Sequence, residues 1–287
     1  MAIIKTIPWD DGSGDNIYLD SNASEGNQTV TVSSDANTST SDRAKIITFS
    51  TGEISETLSI TQSGAFNPLT SYLTFEATED STIIRFYRYS NNSQITLRTI
   101  DYSLDNGETW TSYTARAVAT GSTGGNMVTL NAGQKVMVRG SNSMYANSAS
   151  ANYHLRFYFS KKTYVYGNIM SLINKTDFAN LTSFTSTTGH AFKGLFRGSS
   201  TISTHPTKDL ILPVKTVTTN SYRMLFNGCS NISRIVCLAT DISASNCTTD
   251  MTNGVSESGT FVKDSSMSSW TTGVNGIPSG WEVENYE

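Results

Sequence analysis

Ala191-Phe192-Lys193-Gly194-Leu195-Phe196-Arg197-Gly198-Ser199-Ser200-Thr201-Ile202-Ser203 is the stretch that decides how this chain is read. Thirty residues on it returns as Ser221-Tyr222-Arg223-Met224-Leu225-Phe226-Asn227-Gly228-Cys229-Ser230-Asn231-Ile232-Ser233. Aromatic, basic, Leu, Phe, Gly, Ser and Ile recur in register. A weaker echo 26 residues later places Met251, Asn253, Gly254 and Ser256 on Leu225, Asn227, Gly228 and Ser230. Repetition at this spacing marks a stacked solenoid, whose units hide their apolar faces only against their neighbours. Each unit is expected to contribute a short strand or turn, with Leu and Phe inward and Gly at a tight corner. So few units need capping. The region before them is expected to cap one end, and the tail from Gly259 to Trp281 the other.

Working outward, the 287 residues are 37% hydrophobic and only 15% charged, with five Pro. Much of the remainder is Ser, Thr, Asn and Gly, a balance that favours short strands and polar turns over long helices. The net charge of −4 leaves no large basic field for nucleic acid. The expected partner is neutral: a glycan, another protein, or the chain itself. No run of apolar residues is long enough to span a membrane, so no membrane insertion is expected. The start, Met1-Ala2-Ile3-Ile4-Lys5-Thr6-Ile7-Pro8-Trp9-Asp10, lacks the apolar core of a signal peptide. The expectation is synthesis without a secretion leader.

The fold class read from these patterns is mainly β: an Ig-like β-module over residues 1–65, a β-sandwich over 66–163, and a short irregular repeat domain over 164–287. In the first region Val30/Val32, Ile47/Phe49 and Leu58/Ile60 alternate with polar residues. In the second, Leu73/Phe75/Ala77, Ile84/Phe86, Ile95/Leu97, Val136/Val138 and Leu155/Phe157/Phe159 do the same, with a hairpin turn at Asp105-Asn106-Gly107. Ile169, Leu172 and Ile173 fall at helical spacing and predict a turn or two of helix.

Three segments resemble known families. Arg43-Ala44-Lys45-Ile46-Ile47-Thr48-Phe49, with Glu56 through the closing Gln62-Ser63-Gly64, resembles the last strands of a BACON domain. That Ig-like family is named for carbohydrate binding, and its members often act as spacers. The module is short at its N-terminal end for a full copy, so strands are either missing or supplied by a neighbouring chain. Ser103-Leu104-Asp105-Asn106-Gly107-Glu108-Thr109-Trp110 resembles the Asp-box of sialidase propellers, a folding hairpin remote from their chemistry. A single copy, with nothing like a propeller blade around it, reads as a hairpin pinned by its Trp. Finally, Tyr166-Gly167-Asn168-Ile169-Met170-Ser171-Leu172, the Leu-Phe-x-Gly repeats, and the closing Gly259-Thr260-Phe261-Val262 and Gly276-Ile277-Pro278-Ser279-Gly280-Trp281 resemble BspA-type leucine-rich-repeat proteins of gut Bacteroidetes and their phages. In the phage versions, crAss-like phages included, such chains are virion surface proteins; in the bacterial versions they are secreted to the cell surface.

Residues capable of chemistry are sparse. His154, His190 and His205 lie in no metal spacing, and no cofactor is expected. The three Cys (Cys229, Cys237, Cys247) are odd in number, and Cys229 aligns with Ser199 and Val255, a small buried position, so reduced thiols are expected. Pairing Cys229 with His190 or His205 as nucleophile and base has no local support. Asp10-Asp11-Gly12-Ser13-Gly14-Asp15 begins like a calcium loop but carries Asn16 and Asn22 where Gly and Glu belong. No carboxylate pair stands out for glycoside hydrolysis. The chain reads as no enzyme.

The function implied by the resemblance is a virion structural protein, a head fibre or capsid decoration, made in the host cytoplasm and carried on the particle surface. The alternative is a bacterial cell-surface glycan-binding or adhesion protein of the BspA type. Ile3, Ile4, Ile7 and Trp9 are the candidate docking residues toward capsid or other virion proteins. Tyr87, Tyr89, Trp270 and Trp281 are the candidate contacts to host-surface or mucin glycans. A homo-dimer or homo-trimer is expected, since avidity compensates for weak single contacts.

Overall fold

Alternating apolar and polar residues produce strands along the whole chain, and the computed structural model is mainly β. It describes residues 2–22, 30–39, 41–51, 54–89, 95–117, 125–147, 154–185 and 189–286. Contacts divide the chain into two units, Met1–Asn67 and Pro68–Glu287.

The first unit holds β1 (Ala2–Pro8), β2 (Asn16–Asn22), β3 (Val30–Ser34), β4 (Arg43–Thr51) and β5 (Ile54–Gln62). β1, β2 and β3 form one antiparallel sheet, and β4 and β5 a separate hairpin. Trp9, Ile17, Leu19 and Ile47 make its small core, with Ile7, Val32 and Ile60 against it. Arg43 closes that core. Its guanidinium lies 4.4 Å over the Trp9 ring, donates to Gln62 Oε1 and the Asp35 carbonyl, and pairs with Asp11 and Asp15. The Arg that opens one strand and the Gln that ends the next are thus hydrogen-bonded partners.

The second unit starts as a sandwich. Its strands are β6 (Leu73–Ala77), β7 (Thr82–Arg88), β8 (Thr99–Ser103), β9 (Thr111–Thr114), β10 (Arg116–Ala117), β11 (Val128–Leu130), β12 (Lys135–Gly140), β13 (Leu155–Phe159) and β14 (Thr163–Asn168). β7 is the centre of a small sheet, flanked by β10 and β11 on one edge and β13 on the other. Phe75, Phe86, Phe157 and Phe159 stack between this sheet and the larger one, with neighbouring centroids 4.8–4.9 Å apart for Phe75–Phe157, Phe86–Phe157 and Phe75–Phe159. The β8–β9 hairpin is pinned by its own side chains. Ser103 Oγ donates to Asp105, Asp105 accepts from Thr109, and Trp110 Nε1 donates to the Gly107 carbonyl.

β14 joins the sandwich to the repeats. It pairs antiparallel with β6 and parallel with β15 (Ile202–Thr204) and β16 (Leu210–Leu212). The parallel ladder continues through β17 (Arg234–Cys237), β18 (Thr260–Lys263) and β19 (Glu282–Asn285). One sheet therefore crosses the position near residue 163 where the sequence suggests a boundary, and one apolar core runs through both parts. The helical spacing after β14 becomes a 3-10 turn, Ile169–Leu172, capped by Asn168 accepting from the Met170 amide.

Opposite the parallel strands the repeats form a ladder of turns. Leu195, Arg197 and Ser199 amides bond back three residues, while Phe192, Gly194, Phe196 and Gly198 amides reach the carbonyls of Ser221, Arg223, Leu225 and Asn227. The next coil repeats the scheme: Tyr222, Met224, Phe226 and Gly228 amides reach Cys247, Thr249, Met251 and Asn253. The spacings of 30 and 26 residues read from the sequence are the stacking register. Every fourth residue turns left-handed: His190, Gly194, Gly198; then Asn220, Met224, Gly228; then Asn246, Asp250, Gly254. Only glycine adopts that conformation without a steric penalty. Met224 is held there by the ladder bonds on either side of it.

An aromatic file accompanies the ladder and ties it to the sandwich. Tyr145, Phe192 and Tyr222 stack in succession, as do Phe157, Phe196 and Phe226. At the far end Trp281 is buried and donates from Nε1 to the Ser256 carbonyl.

Candidate functional site

The outward face of the small sandwich sheet is where chemistry-bearing side chains converge. Alternation along β7 buries Ile84 and Phe86 and turns Arg85 and Tyr87 outward; along β13 it buries Phe157 and turns Arg156 and Tyr158 outward. The antiparallel register sets Tyr87 opposite Arg156, and Arg85 opposite Tyr158. Each pair is a cation–π contact, with Arg156 5.1 Å from the Tyr87 centroid and Arg85 5.1 Å from that of Tyr158. The face is a checkerboard of two arginines and two tyrosines.

Tyr89 extends the checkerboard beyond the strand end. Its ring stacks at 4.9 Å on the buried His154, lies 4.6 Å from Arg156 and 5.5 Å from Arg197, and is 39% exposed. Arg156 is fixed: Nε donates to the Tyr87 hydroxyl and Nη1 to the Arg197 carbonyl. The first repeat coil comes so close that a side chain on Gly198 would meet Arg156 Nη1 at 3.1 Å. Burial raises the Tyr87 phenol above its ordinary range, against the opposing pull of Arg156, so it stays a neutral hydrogen-bonding group. Burial, and then Arg223 and Arg197, hold the Lys193 ammonium down at about 8.

The other residues singled out in the sequence lie elsewhere. Ile7 packs against the N-terminal core and Trp9 is inside it; Ile3 and Ile4 are in β1, with side chains outside the described residues. Trp281 is buried. Trp270 is half-buried with its ring 5.1 Å from Phe261. Of the four proposed sugar contacts, the structure brings together Tyr87 and Tyr89 only. Sequence reading missed Arg156, Tyr158 and Arg197. The alternation Leu155-Arg156-Phe157-Tyr158-Phe159 signals the outward pair, but nothing local announces Arg197.

The thiols are structural. Cys229, Cys237 and Cys247 are buried and unbridged; Cys229 Sγ donates to the Phe196 carbonyl, and burial pushes both Cys229 and Cys237 up to about 12. The Asp-rich turn is engaged by Arg43, and no metal-competent cluster of His, Cys, Asp or Glu occurs among the described residues. A second concavity, lined by Pro68, Asp209, Arg234, Val262, Glu284, Asn285 and Tyr286, holds one cation already paired with Asp209 and Glu284.

Residues 9–63 match the BACON family model, described as "Putative binding domain, N-terminal". The match begins at Trp9 and takes in the Arg43–Gln62 pair. Comparison with curated proteins and with solved structures gives no match.

Proposed function

We propose that this chain is a non-enzymatic display and adhesion protein: a head fibre or surface decoration of a phage particle, whose second unit contacts host-surface or mucin glycans. The observation that carries the adhesion reading is Tyr89. It is a partly exposed aromatic ring held by its stack on His154, with the guanidinium groups of Arg156 and Arg197 4.6 and 5.5 Å from its centroid, and a pre-organised aromatic surface is what a sugar ring packs against. The match of residues 9–63 to a binding-domain family supports a binding role for the chain. The buried thiols support the non-enzymatic reading, because a nucleophile needs a thiolate and burial holds Cys229 at about 12. The particle assignment rests on the resemblance of the repeats to BspA-type phage surface proteins.

Gradient fractions of a lysed, infected gut-bacterial culture, probed for this chain by mass spectrometry, test the assignment. Co-sedimentation with particles in fixed ratio to the major capsid protein is expected. Recovery in outer-membrane fractions of uninfected cells would replace it with the BspA-type bacterial adhesin.

A further inference from the structure

The charge of the whole chain and the charge of this one face have opposite signs. Overall the protein is −4, which by itself points to a neutral partner. Several of its carboxylates are paired elsewhere: Asp11 and Asp15 with Arg43, Asp101 with Arg139 and Lys175, Asp209 and Glu284 with Arg234, Asp264 with Lys215. None of β7, β10, β11 and β13 contains an Asp or Glu. The same strands carry Arg85, Arg116 and Arg156, and Arg197 leans over Tyr89 from the first repeat coil. Averaging over 287 residues hides a local concentration of guanidinium groups.

We infer that the face around Tyr89, Arg156 and Arg197 binds an acidic saccharide, one whose sugar ring bears a carboxylate or a sulfate. The inference rests on the glycan reading proposed above and narrows it. The part of the Tyr89 ring left exposed beyond its stack on His154 offers apolar surface to the C–H side of a pyranose. Arg156 has Nε and Nη1 engaged in the described structure, which leaves its Nη2 edge for a ligand oxygen. A guanidinium held in one orientation suits a planar or tetrahedral oxyanion, because little side-chain freedom is lost on binding. The Arg197 guanidinium lies 5.5 Å from the centroid of the same ring. The ladder supplies further positive potential through Arg223, which with Arg197 depresses Lys193. One partly exposed ring beside two cations fits a single charged sugar; a nucleic-acid strand calls for a longer basic track.

The test is binding of the full chain, by calorimetry, to 3'-sialyllactose, a chondroitin sulfate tetrasaccharide, lactose and a short single-stranded oligonucleotide. At least one acidic sugar is expected to bind about tenfold or more tighter than lactose, and more weakly as salt rises. Binding of 3'-sialyllactose shows that a carboxylate suffices; binding of the chondroitin sulfate alone, which carries both groups, points to sulfate. Tyr89→Ala and Arg197→Gln are each expected to lose about tenfold while the protein remains folded at the assay temperature. Should Arg197→Gln fold poorly, the exposed Tyr89→Ala decides alone. Equal binding of lactose would overturn the acidic inference and leave the glycan reading standing. Binding that survives Tyr89→Ala would place the site elsewhere and overturn the inference. Preference for the oligonucleotide would overturn it in favour of a nucleic-acid face. No binding of any sugar would remove both readings.

Discussion

The rings of Phe196 and Phe226 stack with centroids 5.9 Å apart and 8° between their planes, although thirty residues separate them in the chain. Each fills the same place in its own coil, so a truncation in one coil removes support from both neighbours. Phe226→Ala is expected to lower the unfolding free energy of the second unit by about 3–5 kcal/mol. Urea denaturation read by circular dichroism measures it. Phe226→Leu, which keeps most of the volume, should cost clearly less.

The corner glycines test the backbone scheme rather than the packing. Gly228 has φ of 78°, and a side-chain carbon there would sit in ordinary contact, 3.4 Å from the Gly198 Cα. The cost of Gly228→Ala is therefore mainly the left-handed backbone, about 1–2 kcal/mol. A loss of that size in thermal or chemical unfolding is the expected result.

Burial makes the three thiols inert in the native protein. A thiol-reactive dye under native conditions at neutral pH is expected to label none of Cys229, Cys237 and Cys247 at a rate comparable to free cysteine, and all three after denaturation. Cys229→Ser should retain the fold, because Ser199 already occupies the equivalent place and bonds the Phe157 carbonyl. Cys229→Leu should overpack it at about 1–3 kcal/mol.

Carboxylates held below their ordinary range, Asp11 and Asp105 among them, give the protein an acid limb. Hydrogen bonds from the Ser13 hydroxyl and amide, reinforced by Arg43, hold Asp11 at about 2; those from Ser103 and then Thr109 do the same for Asp105. Both lie below their unfolded value. The stability they contribute is therefore complete above that value and is lost as pH falls from about 4 through about 2. Melting temperatures across that window should drop, and Asp11→Asn with Asp105→Asn should flatten the drop while lowering the plateau above it.

The four aromatic residues marked as sugar contacts separate into two classes. Trp281 closes the last coil against Gly259, where a side-chain carbon would approach its ring to 2.9 Å. Trp281→Ala is expected to cost about 3–5 kcal/mol of stability. Tyr89→Ala removes a partly exposed ring and its stack on His154, and should cost clearly less, about 1 kcal/mol. A loss of ligand binding that outruns the loss of stability is thus available only at the tyrosine.

These contrasts show what a sequence carries and what it does not. Alternation announced the strands, and the Leu-Phe-x-Gly echo gave the coil register, because both are local in the chain. The left-handed position every fourth residue was visible only where Gly or Asn occupies it; His190, Met224 and Asp250 adopt it because ladder hydrogen bonds impose it. The continuity of sandwich and repeats depends on β14 pairing with strands on both sides, a choice no single segment encodes. In the site, Tyr87 and Tyr89 were legible as an aromatic run. Arg156 joins them from 69 residues away, and Arg197 joins from the turn ladder. Trp281 read as a surface aromatic because its burial is decided by a glycine and a carbonyl brought in from other parts of the coil.

The central claim is that the second unit holds a saccharide and leaves it unchanged. Saturation-transfer-difference NMR on the full chain with a mixture of neutral and acidic oligosaccharides reads both halves in one sample. The account predicts transfer to a sugar, abolished by Tyr89→Ala, and an anomeric region unaltered after prolonged incubation. New reducing-end signals that depend on the protein would contradict it and make the chain an enzyme.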